Sequence, residues 1–444
     1  MTMISSKLSD YEAIVIGAGP AGLSAAHRLV SKGVRTLLIN ATTKNGQGLG
    51  GLANDWHFQC AELEEVDLEG ESDFSTWPIS HSEYRKYTEL AKNILSIEVN
   101  KNNETLNNLT YSCADEVQVV EVETVIAQKK KWEKLFQSTI LNPKLIISNG
   151  FVNRLIHDNQ SLTGIVMDGE LLPLSSLSKI YLAAGCVGNT EILSRSRFEN
   201  LNKSSIFSKY LADHPMFENI YLKGGNGNSF HDLFENKTTN TRTVLIKRKY
   251  RVRKNRKNLG VFEIRHFFSK RSINHTDHRL TLSESTKILI NKASKFLFNR
   301  IVFRPLITKV WIQLAQGQNF NSQITFGDTS TSIHWSLSEE DLDNYLQIIN
   351  AVENYAERNG YSLGYLNEVK SVQDLQDAAQ PAFHLSGTTR MSKTLVNSVV
   401  DSNGQLLDIK NCFVLGSSIF TTPGWANPTL SIMALSIRTV DKSY

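Results

Sequence analysis

Apolar and polar positions alternate between two textures at the start of the chain. Glu12–Gly17 is a short β-branched run that predicts a buried strand, and it breaks into Gly17-Ala18-Gly19-Pro20-Ala21-Gly22. Leu23–Val30 follows as an alanine-rich helical stretch closed by Lys32-Gly33, and Val34–Ile39 predicts a second strand. Much later, Ser322–Phe326 and Ser332–Trp335 read as strands of an antiparallel sheet, and Glu339–Glu357 as a helix across its back. No internal repeat or low-complexity linker interrupts the 444 residues, a length that suits two domains.

Strand, glycine turn, helix and strand in that order form the pattern of a dinucleotide site. Gly17 allows the tight turn, Gly19 lets backbone approach a pyrophosphate, and Gly22 lets helix pack close to sheet. The helix N-terminus, starting with Pro20 and Ala21 after Ala18 and Gly19, offers N–H groups to the phosphates. Glycine-rich turns also serve plain βα corners, so the flanking elements carry this reading. The second strand ends in Asn40, where an acidic side chain ordinarily accepts ribose hydroxyls; Asn accepts through its carbonyl oxygen without the charge.

Composition changes this picture little. The chain is 41% hydrophobic and 21% charged, with 48 basic and 44 acidic residues, as expected of a globular protein. No apolar stretch reaches the roughly 20 residues of a membrane span, and Met1–Asp10 holds no apolar run, which predicts a cytoplasmic protein. Cys60, Cys113, Cys186 and Cys412 lack CxxC spacing and are expected to be buried thiols rather than a disulfide framework or zinc site. His275-Thr-Asp-His278 has metal-like residues without further ligands nearby, so no metal is expected. No nucleic-acid module is present.

Several longer segments narrow the fold. Gly48-Leu-Gly-Gly-Leu-Ala-Asn54-Asp-Trp56, Trp77-Pro-Ile-Ser80, Ile180–Gly185, Thr190–Leu193, Leu211-Ala-Asp-His-Pro215, His384–Met391, Val399–Asp401, Phe413–Phe420 and Gly424–Leu430 occur in that order. Together they resemble the glucose-methanol-choline (GMC) oxidoreductase family, nearest its pyranose oxidase and bacterial sugar-oxidising branch. The resemblance implies an α/β protein with an α+β substrate domain, in which a Rossmann-type FAD-binding domain adjoins a discontinuous antiparallel-sheet substrate domain. The expected division is 1–71, 145–215 and 394–444 for FAD, and 72–144 and 216–393 for substrate.

The resemblance also implies which residues meet FAD. Besides Gly17, Ala18, Gly19, Pro20, Ala21, Gly22 and Asn40, these are Gly50, Gly51, Asn54, Trp56, Val152, Ala184, Gly185, Gly416, Ser417, Pro428 and Thr429. Gly416 stands where the family carries an acidic residue. In the pyranose oxidase branch a histidine before the tryptophan links the flavin covalently; Asp55 occupies that place, so non-covalent FAD is expected.

Oxidising an alcohol needs a base for the hydroxyl proton while the C–H hydride leaves, and a neutral imidazole poised near pH 7 suits the task. The family pattern assigns that role to His384, with Asn427 aligning the alcohol oxygen. Taken alone, any of the 11 histidines is more often a surface or core group, and Asn427 before Pro428 equally reads as the N-cap of a helix from Pro428 to about Val440.

Charge is concentrated. Arg242–Lys257 holds nine basic residues and no acidic one, so removing them from the net +4 leaves −5. A second basic stretch, Lys287–Lys309, carries Ile290, Ala293, Leu297 and Ile301 at helical spacing until Pro305. A solvated helical face is the plain reading. The functional alternative is a phosphate-attracting patch beside an interfacial helix, fitting a carrier- or lipid-linked substrate and peripheral contact with the inner membrane face.

The resulting expectation is FAD-dependent oxidation of a small-molecule alcohol, on a sugar or glycoside, with the electron acceptor left open. The alternatives are a GMC-type lyase whose flavin does no net redox work and a flavin-binding scaffold without catalysis.

Overall fold

The computed structural model describes residues 8–41, 48–56, 58–70, 72–97, 108–112, 117–126, 131–224, 245–267, 307–327 and 330–444. The β-branched runs read from sequence form the middle of a five-stranded parallel sheet. Its order is Cys412–Val414, Lys179–Leu182, Ala13–Ile16, Thr36–Asn40 and Leu145–Asn149. Ala13–Ile16 is buried at every position, as a central parallel strand covered on both faces must be. Strands 13–16 and 36–40 are adjacent through the helix Pro20–Ser31, whereas the other three arrive from far along the chain.

The last helix, Thr429–Ser443, buries Leu430, Met433, Ala434, Leu435, Ile437 and Val440 and packs on Pro20–Ser31 and on His81–Ile94. Arg28 fixes the first of these contacts by donating from Nε and Nη2 to the two Asp441 oxygens at 2.7 and 2.8 Å. The C-terminal residues are thereby returned to the glycine turn.

A second sheet has eight strands. Tyr361–Tyr365, Met216–Gly224, Ile307–Leu314, Lys257–Phe267, Leu245–Lys254, Val117–Ile126 and Gln59–Cys60 lie side by side, with Asn108–Ser112 also paired to Val117–Ile126. Helix Glu339–Arg358 covers this sheet with Leu342, Tyr345, Ile348, Ile349 and Val352. Ser338 and Asp341 start it with a reciprocal capping box. A third, three-stranded meander comprises Val152–His157, Leu162–Met167 and Glu170–Pro173.

Two expectations are corrected. Gln323–Phe326 and Thr331–His334 are strands, but they form a two-stranded hairpin outside the large sheet, with Gln323 also bridged to Lys209. The reason is visible in burial: Thr331–His334 is exposed at every position, so it lacks an apolar face to bury.

The basic run also differs from an open patch. Its described part is a hairpin, Leu245–Lys254 against Lys257–Phe267, within the large sheet. Lys249 and Arg251 are buried: Lys249 lies 4.7 Å above the Trp311 ring, and Arg251 pairs with Glu64 at 2.6 Å. Arg253 also pairs with Glu64, Arg256 with Glu69 at 3.2 Å, and Lys257 with Glu340. Arg242, His275, His278 and most of Lys287–Lys309 lie outside the described residues; at its end, Ile307–Leu314 is strand.

Cys60, Cys186 and Cys412 are free and buried, and Cys113 lies outside the described residues. No helix among the described residues is long and apolar enough to cross a membrane.

Candidate active site

At the glycine turn, space itself dictates residue type. A Cβ on Gly17, whose φ is +110°, would fall 2.3 Å from the Ala183 carbonyl oxygen, and one on Gly22 would fall 1.8 Å from the Gly17 carbonyl oxygen. Both positions therefore exclude any side chain. Gly19 faces the other way: a Cβ there would meet nothing within 4 Å. It precedes a helix with Pro20 in the first turn and no side-chain cap, so the backbone at Gly19 faces an open space at the helix N-terminus.

The second glycine loop lies against the first. Gly50 donates its N–H to the Ala18 carbonyl at 2.8 Å, and a Cβ on Gly51 would sit 3.6 Å from the Gly19 Cα. The loop is pinned because Gly50, at φ +101°, leaves room for the Trp132 ring. Trp56 is buried, stacked on Phe58 at 4.5 Å and beside Trp132 at 6.0 Å, with its indole N–H unpartnered. Asn54 is exposed and donates to the Leu49 carbonyl at 3.3 Å; Asp55 is also exposed.

Asn40 ends its strand nearly buried, opposite Asn149 in register. Val152 is buried in the core cluster that holds Ile16, Leu37 and Ile39. Ala184 and Gly185 form the turn from Lys179–Leu182 into helix Gly185–Ser196. Asn189, a residue sequence reasoning missed, ties this turn to the C-terminal segment. Its Oδ1 accepts from Ala184 N–H at 2.8 Å, while Nδ2 donates to the Leu415 carbonyl at 2.7 Å and to Ser418 Oγ at 3.0 Å.

Gly416 follows at φ +94°, and a Cβ there would lie 3.8 Å from Ala21 Cβ, at the start of the first helix. From here the His384–Met391 segment is docked rung by rung. Ser417 Oγ donates to the Leu385 carbonyl at 2.6 Å, Gly387 N–H to Ser417 O at 3.1 Å, and Thr389 N–H to Ser418 O at 2.8 Å. On its other side Ser386 exchanges two backbone hydrogen bonds with Ala212, at 2.9 and 3.1 Å. The segment that begins with His384 is thus held between Leu211–Pro215 and Ser417–Ser418.

Asp213 and His214, also missed as individual site residues, define the immediate geometry. The Asp213 carboxylate accepts backbone N–H groups from His214 and His384, both at 2.7 Å, and from Phe383 at 3.0 Å. His214 Nδ1 and His384 Nδ1 are 3.1 Å apart, and His214 Nε2 is 2.9 Å from the Gly424 carbonyl oxygen. The two rings cross at 80°. These three side chains are the group of potential metal-ligating atoms found within 4.8 Å of one another among the described residues. Their partners explain them without an ion, because the carboxylate is spent on three N–H groups and the imidazoles bond each other.

Asn427 lies one segment beyond Gly424, with Nδ2 directed at the Gln59 carbonyl at 3.5 Å. It does not cap the last helix. Pro428 occupies the flanking position, the helix begins at Thr429, and no side chain caps it. The fixed φ of Pro428 turns the chain there, which shifts Asn427 one residue out of capping reach.

Burial holds His384 far below the usual imidazole range, at about 3, and the neighbouring His214 ring and Lys249 ammonium act in the same direction. Burial likewise lowers His214. Both rings are neutral near pH 7. Arg390, in the same segment, is buried over the Phe74 ring at 3.8 Å, and burial lowers its guanidinium to about 10. A separate 570 Å³ cavity is lined by Glu65, Trp77, His81, Ser392 and Asp401, and by none of the residues around His384.

Comparison with known proteins agrees with this arrangement. The GMC oxidoreductase family model matches residues 320–436, and the model described as glucose inhibited division protein A matches residues 12–256, over half of the chain. The chain is similar to 2-methyl-1,2-propanediol dehydrogenase of Mycolicibacterium austroafricanum, 43% identical over 61 residues, 14% of this chain and 11% of that protein. It is also similar to thiamine thiazole synthase of Archaeoglobus fulgidus, 35% identical over 79 residues, 18% of this chain and 28% of that one. The matched stretches thus span well under two thirds of either relative. Pyridoxine 4-oxidase from Mesorbium loti shares the fold at TM-score 0.59 and 13% identity, over 97% of this chain and 98% of the other. The dinucleotide cradle thus lies in the stretch matched by the glucose inhibited division protein A model, and the C-terminal segment docked onto it is a GMC oxidoreductase C-terminal domain.

Proposed function

We propose that this protein is an FAD-dependent oxidoreductase that converts an alcohol to a carbonyl compound, acting on a sugar or glycoside. What supports the reading is that the segment from His384 to Met391 is hydrogen-bonded through Leu385, Gly387 and Thr389 to Ser417 and Ser418, directly after Gly416, which approaches Ala21 at the start of the first helix. The residues present fit FAD: Gly19 is open to space, Gly51 lies against it, and the helix behind them has no side-chain cap. Ala18–Gly22 would hold the pyrophosphate, Asn40 the ribose, and Gly50, Gly51, Gly416 and Ser417 the remainder. Asn54, Trp56, Val152, Ala184, Gly185, Pro428 and Thr429 complete the proposed contacts. When bound, FAD supplies the two-electron acceptor for the hydride that leaves the alcohol carbon.

The chain's own residues handle the proton. His384 takes it from the hydroxyl as the C–H bond breaks, so the substrate loses one hydride and one proton and gains a C=O bond. Asn427 orients the alcohol oxygen so that proton and hydride leave in register. Asp55, in place of a linking histidine and exposed, favours a non-covalent cofactor. The division into an FAD part around the parallel sheet and a substrate part around the large sheet follows the same reading. The propanediol dehydrogenase relative supports a hydroxylated substrate; the sugar class rests on the branch resemblance.

Replacing His384 with Ala tests the assignment. The variant should keep its FAD while the single-turnover rate of flavin bleaching by substrate falls about 10²–10⁴-fold. A rate equal to that of the unsubstituted protein would remove His384 from the chemistry.

A further inference from the structure

We propose that His214 is a positioning residue that fixes His384 in its Nδ1–H tautomer, leaving Nε2 as the only nitrogen able to accept a proton. The inference deepens the assignment of His384 as base and rests on it for its catalytic meaning, though its structural part stands separately.

The argument follows the hydrogen bonds from an end whose direction is fixed. A backbone carbonyl oxygen can only accept, so His214 Nε2, 2.9 Å from the Gly424 oxygen, must carry a proton. The Pro423 carbonyl draws a proton to the same ring. His214 is fully buried, and burial keeps the ring neutral, so its other nitrogen, Nδ1, carries a lone pair. That lone pair faces His384 Nδ1 at 3.1 Å. His384 Nδ1 must therefore be the donor. Since His384 is neutral as well, its remaining nitrogen has no proton. Reversing the relay, with His214 Nδ1 as the donor, would set the bare Nε2 lone pair against the Gly424 oxygen, and moving the His384 proton to Nε2 would set two lone pairs against each other between the Nδ1 atoms; either leaves one contact unpaired in a buried site.

Asp213 makes the relay rigid. One carboxylate oxygen accepts the backbone N–H of both histidines, each at 2.7 Å, so the two rings hang from a common point although they are 170 residues apart. The second oxygen takes Phe383 N–H. The charged and titratable groups that bear on the pair are Asp213 and Lys249. Neither replaces the Nδ1–Nδ1 contact, because Asp213 is spent on backbone and Lys249 stacks on Trp311.

Tautomers can be read directly. Holoprotein carrying ring-15N histidine, recorded by long-range 1H–15N correlation near neutral pH without substrate, should show the Nδ1–H pattern for His384, assigned by its loss in His384→Gln. In His214→Phe, which cannot accept, the pattern should move to Nε2–H and the single-turnover rate should fall about 10²–10⁴-fold. His214→Asn, whose side-chain carbonyl can accept in the same place, should retain the Nδ1–H pattern and most of the rate. An Nε2–H pattern for His384 in the unsubstituted protein overturns the proposal, whatever the variants do. If the Nδ1–H pattern is present and His384→Ala reacts at full rate, the tautomer assignment stands and the base assignment fails, so the two are separable.

Discussion

His384 differs from the simple picture of an imidazole poised near neutrality. Its depressed value, about 3, means that the folded protein leaves it neutral over a range in which the unfolded chain protonates it, below about 6.5. The sign follows: its contribution to stability is present above pH 6.5 and is lost as pH falls toward 3, because the unfolded state binds the extra proton. His384→Gln should therefore flatten the decline in stability between pH 6.5 and 3, by at most about 1.4 kcal/mol per pH unit for a single group. Urea denaturation followed across that window checks it, and an unaltered slope would show that His384 titrates normally in the fold. At this scale sequence reading singled out His384, Asn427 and the glycines by motif. It could not assign roles to Asp213 and His214, because their meaning lies in a contact to a residue 170 positions away.

Among the elements, those with local periodicity were the most legible. The predicted strands near 12–17 and 34–39 are Ala13–Ile16 and Thr36–Asn40, and the predicted helix 339–357 is Glu339–Arg358. Sheet membership was not legible, since Gln323–Phe326 and Thr331–His334 carry a strand signal that does not say which strand they join. The turn into helix Gly185–Ser196 shows the same limit from the other side. Asn189 there is a polar residue in an otherwise ordinary helix, yet it joins Ala184 to Leu415 and Ser418. Asn189→Ala leaves buried backbone groups unpaired and should cost about 1–3 kcal/mol, with weaker retention of FAD. Thermal unfolding with and without added FAD measures both effects; a variant as stable as the parent in each condition would mean that the turn is held by packing alone.

Across the whole molecule, the large sheet is tied by charged contacts to the short helix Glu65–Glu69 that leads toward His81–Ile94. Glu64, just before helix Glu65–Glu69, receives Arg251 and Arg253 from the large sheet, and Asn258 Nδ2 reaches Asp67 Oδ1 at 2.9 Å. The basic run that reads from sequence as an excess of free charge is, over its described residues, largely a means of holding this junction. Net charge along a chain carries no information about which carboxylates fold back to meet it. The family resemblance, in contrast, was legible because its motifs hold positions that call for glycine: at Gly17 and Gly22 backbone lies against backbone, Gly50 leaves room for the Trp132 ring, and Gly50 and Gly416 take positive φ. The central claim is that these parts together oxidise an alcohol. Its most direct test is anaerobic mixing of the FAD-loaded protein with a panel of sugars, glycosides and simple alcohols while flavin absorbance is followed. The account predicts that at least one sugar-type alcohol bleaches the flavin and yields its carbonyl product in equal amount; conversion of a substrate with the yellow colour unchanged would contradict it.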